Sequence, residues 1–202
     1  MFGNAGNYGL SLNLFAFGTD AVAYASLYFA TASILIYTVG VLIASLGKMT
    51  LKKALIGLIK VPAIYAVILA LLFNQFSLEL PLPLDRTISL FSNAAIPVMM
   101  VLMGVQLYNV KTSDHKALLG LSSGLRLVVS PLIAFAICLF IGLKGTAFQA
   151  AMLESAVPTA VIMTVLATEY DVQPSFVTSA VFVSTILSPI TITPLLKFLG
   201  AG

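Results

Sequence analysis

The residues best placed to do chemistry sit in one short run, Glu154-Ser155-Ala156-Val157-Pro158-Thr159-Ala160-Val161, where a carboxylate, two hydroxyls and a proline interrupt an otherwise apolar stretch. A proline inside a helix removes one backbone donor and frees a carbonyl a turn earlier. In hydrocarbon, such groups are tolerated only where protein or a watery cavity satisfies them, so the break points to a site. A second polar interruption, Asn4, Asn7 and Tyr8 set among Gly3, Gly6 and Gly9, opens the chain. A free helix N-terminus presents unpaired N–H groups and a positive dipole end, which suits an anion. The chemistry on offer is therefore anion binding, with Asn4, Asn7 and Tyr8 from one break and Ser155 and Thr159 from the other, at the interruptions marked by Gly9 and Pro158. The alternative is a pair of kinked helices packing closely through small residues.

Three further polar residues are candidates for ion coupling. Glu154 lies one turn before Pro158, either buried, where a charge is costly and usually functional, or solvated at the watery end of its span. Arg126 pairs with Glu154 or a substrate carboxylate, or else snorkels to the interface. Asn93, in Ser92-Asn93-Ala94-Ala95-Ile96-Pro97, marks another kink whose plainer reading is close packing. His115 has only Asp114 beside it, so no metal site is expected. Cys138, the one cysteine, reads as a small apolar packing residue. With no nucleophile elbow, phosphate loop or metal-ligand spacing, an enzyme is a poor fit.

The elements that must position these residues are membrane helices. Hydrophobic residues make up 60% of 202 and charged residues 8%, mean hydropathy is +1.09, and a soluble domain carries roughly 25% charged residues. An all-α polytopic membrane protein follows, with the lipid bilayer as partner. The net charge of +3 acts through loop placement and is no footprint of nucleic acid. No cleavable signal peptide is expected, since residues 1–11 carry no Lys or Arg.

A span needs about 20 apolar residues, which predicts spans over 21–46, 54–74, 87–108, 118–142, 148–168 and 174–196 and a broken helix over 1–18, about seven in all. Lys48, Lys52, Lys53, Lys111 and Lys116 fall on one side by parity, against Arg86, Lys144 and Lys197 on the other. The loops 48–53 and 109–117 are therefore expected to be cytoplasmic and the C-terminus to lie on the opposite side.

Sliding the chain by 151 residues lays Asn4–Gly9 over Ser155–Ala160 and Asp20 over Asp171. Five spans separate the copies, so they cross the membrane in opposite directions, as inverted repeats do. Paired interruptions in inverted halves are the best sequence pointer to a transporter's binding site.

The stretches Phe2 to Leu10, Ala95 to Gly104 (Ala-Ile-Pro-Val-Met-Met-Val-Leu-Met-Gly), Ala156 to Ala160 and Ser184 to Thr191 resemble the auxin efflux carrier family, which includes plant carriers and prokaryotic organic-acid permeases. The likeness runs over essentially the whole chain. It implies a ten-helix fold of two inverted five-helix repeats, similar to bile acid sodium symporters, with crossed broken helices that bind a carboxylate. It further implies elevator-type alternating access by a carrier of a small organic anion such as malate or an auxin-like carboxylate. Under the resemblance, residues 1–47 hold the last two helices of the first repeat, and 54–202 form a complete second repeat with its break near 154–161. The first three spans would be absent. Ser11 stands where the family often has proline, so the first break would rest on glycines and asparagines. A multi-pass protein of the plasma (cell inner) membrane, a homodimer, and coupling to H+ or Na+ without any cofactor are the remaining expectations. The alternative is a truncated, non-transporting remnant or an accessory subunit.

Overall fold

A computed structural model describes residues 1–44, 62–108 and 115–201. Lys48, Lys52, Lys53, Lys60 and Lys111, with most of the loops expected to be cytoplasmic, lie outside the described residues. Every described element is a helix apart from a single β-bridge.

We number the helices along the chain. Helix α1 covers residues 5–17, with a π-helical start at Ala5–Leu10 followed by Ser11–Phe17. The chain turns at Gly18 (φ 77°) into α2, residues 19–44, built from Thr19–Leu35, the π-helical Ile36–Gly40 and Val41–Ala44. Helices α3 (Pro62–Gln75) and α4 (Leu82–Tyr108) follow. Helix α5 (Lys116–Phe140) contains a third π-helical turn, Leu125–Val129. Then come two half-helices, α6 (Gly145–Ala156) and α7 (Ile162–Glu169), and finally α8 (Pro174–Phe198).

Among the described residues, three helical runs are long and apolar enough to cross a membrane: 5–44, 116–140 and 174–198. Most described large apolar side chains on α3, α4 and α5 face outward, as do Ile186, Leu187, Ile190 and Phe198 of α8; Leu90, Phe91 and Ile190 are each at least 70% exposed, as lipid-facing residues are. The buried interior is correspondingly small and rich in serine and alanine. One cluster joins Cys138, Met152, Leu153, Ala156 and Ile192, so Cys138 does pack as a small apolar residue.

Several boundaries differ from expectation for identifiable reasons. The span expected over 148–168 is two half-helices, because Val157, held extended by the following proline (ψ 150°), stops α6 at Ala156. The segment 1–18 is broken only over residues 1–4 before the turn at Gly18; from Ala5 to Phe17 it is helical, because tertiary packing overrides the poor helix propensity of Asn and Gly. Pro97 lies within the continuous α4, and α4 starts earlier than expected, at Leu82. Asn93 is exposed on that helix.

Candidate functional site: two crossed helix breaks

The second break has its polar groups answered one by one. Pro158 has no N–H, so the Glu154 carbonyl loses its helical donor; Arg126 Nη2 approaches it at 3.5 Å. The Ser155 carbonyl accepts from Ser130 Oγ (3.2 Å) and the Val157 carbonyl from Arg126 Nε (2.8 Å). The Pro158 carbonyl accepts from the Asn4 N–H (2.8 Å). Past the proline, the Thr159 N–H donates to Ser184 Oγ (3.1 Å) and the Ala160 N–H to the Phe2 carbonyl (2.9 Å). Donors and acceptors thus come from the chain's start, α5 and α8. In a membrane each group left unpaired would cost several kcal/mol, so this accounting is what permits a break there.

Two of these bonds form an antiparallel bridge between Gly3 and Thr159. The first break therefore lies directly on the second, and helices run away from the crossing on both segments. Arg126 does not snorkel. It is half-buried and turned inward, its Nη1 held by Ser130 Oγ (3.1 Å), with a cation at the carbonyl end of α6 where the helix dipole favours one. Its guanidinium fills the space where a side chain at residue 3 would stand, so the close approach requires Gly3.

On the other side of the bridge lies a cavity of about 230 Å³. Its walls are residues 3–7 at the head of α1, residues 160–162 at the head of α7, and Phe29, Ala32 and Ile36 of α2. Two helix N-termini therefore face one space. At α7 the Met163 and Thr164 N–H groups donate to the Ala160 and Val161 carbonyls, so what the two helix heads offer this space is chiefly the positive ends of their dipoles. Asn4, buried with its Nδ2 unpartnered, and Asn7 add amide groups. The arrangement can hold a small anion against an apolar wall.

Of the residues singled out in the sequence, Asn4 and Asn7 line this cavity, and Pro158 and Thr159 build the bridge beside it. Tyr8, Gly9 and Ser155 face elsewhere, because a helix turns successive residues to different sides. Tyr8 packs against the buried cluster that includes Met152, Leu153 and Ile192 and shares a 3.0 Å hydrogen bond with Ser188; Ser188 donates onward to the Thr185 carbonyl (2.8 Å), so the phenol is the donor. Gly9 lies against the Glu154 carboxylate. The Ser155 hydroxyl turns back to the Met152 carbonyl (2.7 Å).

Glu154 is fully buried rather than solvated, and its Oε1 accepts from Asn13 Nδ2 (3.0 Å), which also reaches the Gly9 carbonyl (3.0 Å). Arg126 contacts the Glu154 main chain, not its carboxylate. Sequence reasoning passed over Asn13, Ser130, Ser184 and Ser188. For Asn13 a signal existed: an amide inside an apolar helix, four residues beyond Gly9. Single serines in membrane helices carry none. His115 is exposed at the start of α5, and among the described residues no group of three or more His, Cys, Asp or Glu could hold a metal.

Apolar helices facing outward around a few crossed polar breaks define a polytopic membrane protein. The chain belongs to the membrane transport protein family, the family of the auxin efflux carriers, which matches residues 1–196. It is similar to an "Uncharacterized transporter" of Methanothermobacter thermautotrophicus, 31% identical over 195 residues covering 94% of this chain and 62% of that protein. The "Putative malonate transporter" of Rhizobium meliloti is 29% identical over 212 residues, covering 100% of this chain and 65% of that protein. Auxin efflux carrier component 6 of Arabidopsis thaliana is 26% identical over 170 residues, covering 74% and 30% respectively. The chain spans just under two thirds of the length of the first two relatives. Family and relatives are transporters rather than enzymes.

Proposed function

We propose that this protein works as a secondary carrier of a small organic anion, a dicarboxylate such as malate or malonate in the first instance, whose carboxylate sits in the cavity between the heads of α1 and α7. The observation that carries the reading is the Gly3–Thr159 bridge, which aims two helix N-termini at one space. Asn4 and Asn7 hold the carboxylate, and the apolar wall of α2 receives the carbon skeleton. The relative named for malonate supports the substrate class, and others are named for efflux of auxin, a carboxylate of another shape.

The same reading takes α1–α2 and α7–α8 as equivalent pairs in inverted halves. Helices α7 and α8 start at residues 162 and 174 against 5 and 19 for α1 and α2, offsets of 157 and 155 rather than 151. The offset of 151 aligns polar composition, and this reading takes the helix starts as the better match between the two breaks. An elevator movement of the crossing, a ten-helix whole of two five-helix repeats, a homodimer and a place in the cell's plasma membrane complete the proposal.

Proteoliposomes containing the protein should take up labelled malonate or malate. Asn7→Ala and Pro158→Ala should each reduce uptake at least tenfold, the first by raising KM. Unchanged uptake by both variants would remove the crossing from the site.

A further inference from the structure

The carboxyl of Glu154 and the amide of Asn13 make half of a pairing. Asn13 Nδ2 donates to Glu154 Oε1, while the two atoms that would complete the pair, Glu154 Oε2 and Asn13 Oδ1, are both buried and without a hydrogen-bond partner. Two orphaned acceptors cannot satisfy each other. One proton on Oε2 supplies the missing donor. After a small swing of the amide, Oε2–H donates to Oδ1 while Nδ2–H stays on Oε1, giving the cyclic acid–amide pair in which every polar atom has its complement.

A metal ion does not fit in the proton's place. The backbone at Gly9 lies so close to Oε2 that even a methyl group there would collide with the carboxyl, whereas a hard cation needs about six oxygens around it. Arg126 on α5 and Tyr28 on α2 interact electrostatically with Glu154, while Cys138 on α5 shares a buried cluster with the adjacent Leu153 and Tyr8 on α1 packs against that cluster. Arg126 is committed to main-chain carbonyls, Tyr8 to Ser188, and α8 offers only hydroxyls at this level.

We infer that Glu154 and Asn13 form a proton-binding clasp between α6 and α1, and that the proton travels with the anion whose carboxylate rests at the head of the same α1. Loading forms the Oε2–H bond with a proton from water on one side of the membrane, and release returns that proton to water on the other. Protonated, the clasp is closed and dry. Ionised, it holds two unpaired acceptors and a buried charge, and it opens to water. The coupling to the anion rests on the carrier reading above; the proton site does not.

Two measurements on the full chain separate these. First, unfolding in mild detergent by added dodecyl sulfate should show wild type losing stability from acid to alkaline buffer. Glu154→Gln, whose amide makes the same two bonds to Asn13 permanently, should be flat. If that variant does not fold, the infrared band of the protonated carboxyl in wild type decides: its disappearance with rising pH supports the clasp, and its absence throughout overturns it. An identical pH dependence in both proteins also overturns it. Second, with the membrane potential clamped, a pH gradient should accumulate malonate by up to about tenfold per pH unit, the most that one proton per anion can sustain. Glu154→Gln should show no gradient-driven accumulation. Accumulation driven by sodium at fixed pH would overturn the proton. A protein that moves no carboxylate yet shows the pH-dependent stability keeps the clasp and loses the carrier.

Discussion

Replacing Arg126 by methionine keeps much of the side chain's length and apolar stem and removes the guanidinium from the crossing. The Val157 carbonyl loses a 2.8 Å donor and the Glu154 carbonyl a 3.5 Å one. A hydrogen bond to a charged group contributes about 1.5–3 kcal/mol and a long one well under 1 kcal/mol, so the loss should be about 2–4 kcal/mol. Ser130 keeps its own bond to the Ser155 carbonyl, so the damage stays local. Equilibrium unfolding by dodecyl sulfate in mild detergent measures the difference. Arg126→Lys is the informative companion. It preserves the charge near the end of α6, but a single ammonium cannot reproduce the fork that reaches a carbonyl and Ser130 at once. Lysine should recover no more than about half of the loss. A methionine variant within about 0.5 kcal/mol of wild type would refute the hydrogen-bond accounting, since surface changes away from special contacts fall in that range. A lysine variant equal to wild type would show that charge alone matters.

Two other substitutions follow from the same geometry. Gly9→Ala should destabilise by about 1–3 kcal/mol despite alanine's better helix propensity, because the added methyl meets the Glu154 carboxylate; Gly120→Ala, with nothing within 4 Å, should be neutral or stabilising in the same unfolding assay. Ser184→Ala should cost about 1–3 kcal/mol by leaving the Thr159 N–H unpaired, with Ser184→Thr recovering most of it.

Composition alone declared the membrane environment, and the proline in a polar run declared the second break, because an unpaired backbone in lipid is too costly to arise without purpose. The crossing itself was legible as two matched interruptions. Its register was not, since Asn4 to Gly9 match Ser155 to Ala160 in polarity, whereas the structure opposes Gly3 to Thr159. Which way each residue of the break faces depends on helical rotation, and the π-helical turn at Ala5–Leu10 alters that rotation without any sequence mark. This is why Asn7 reached the cavity while Tyr8 and Gly9 turned toward α6 and α8. Arg126 sits in another such turn, Leu125–Val129, and its inward direction was equally hidden. The serines that answer the break's carbonyls and N–H groups were the least visible, because a hydroxyl in a membrane helix usually bonds its own preceding turn, as Ser11 and Ser33 do here.

The Gly3–Thr159 bridge also constrains how the chain is made. Its partners are 156 positions apart, and a ribosome adding 5–20 residues per second needs roughly 10–30 s to cover that distance. During that interval the opening segment has been synthesised but its acceptors and donors at Pro158 and Ala160 do not yet exist. It waits with unpaired main-chain groups, sheltered by its hairpin partner α2, whose Phe29 already packs on Gly6. Assembly of the crossing is therefore a late, long-range event in biogenesis, and the first break needs other cover for its main-chain groups until its other half arrives.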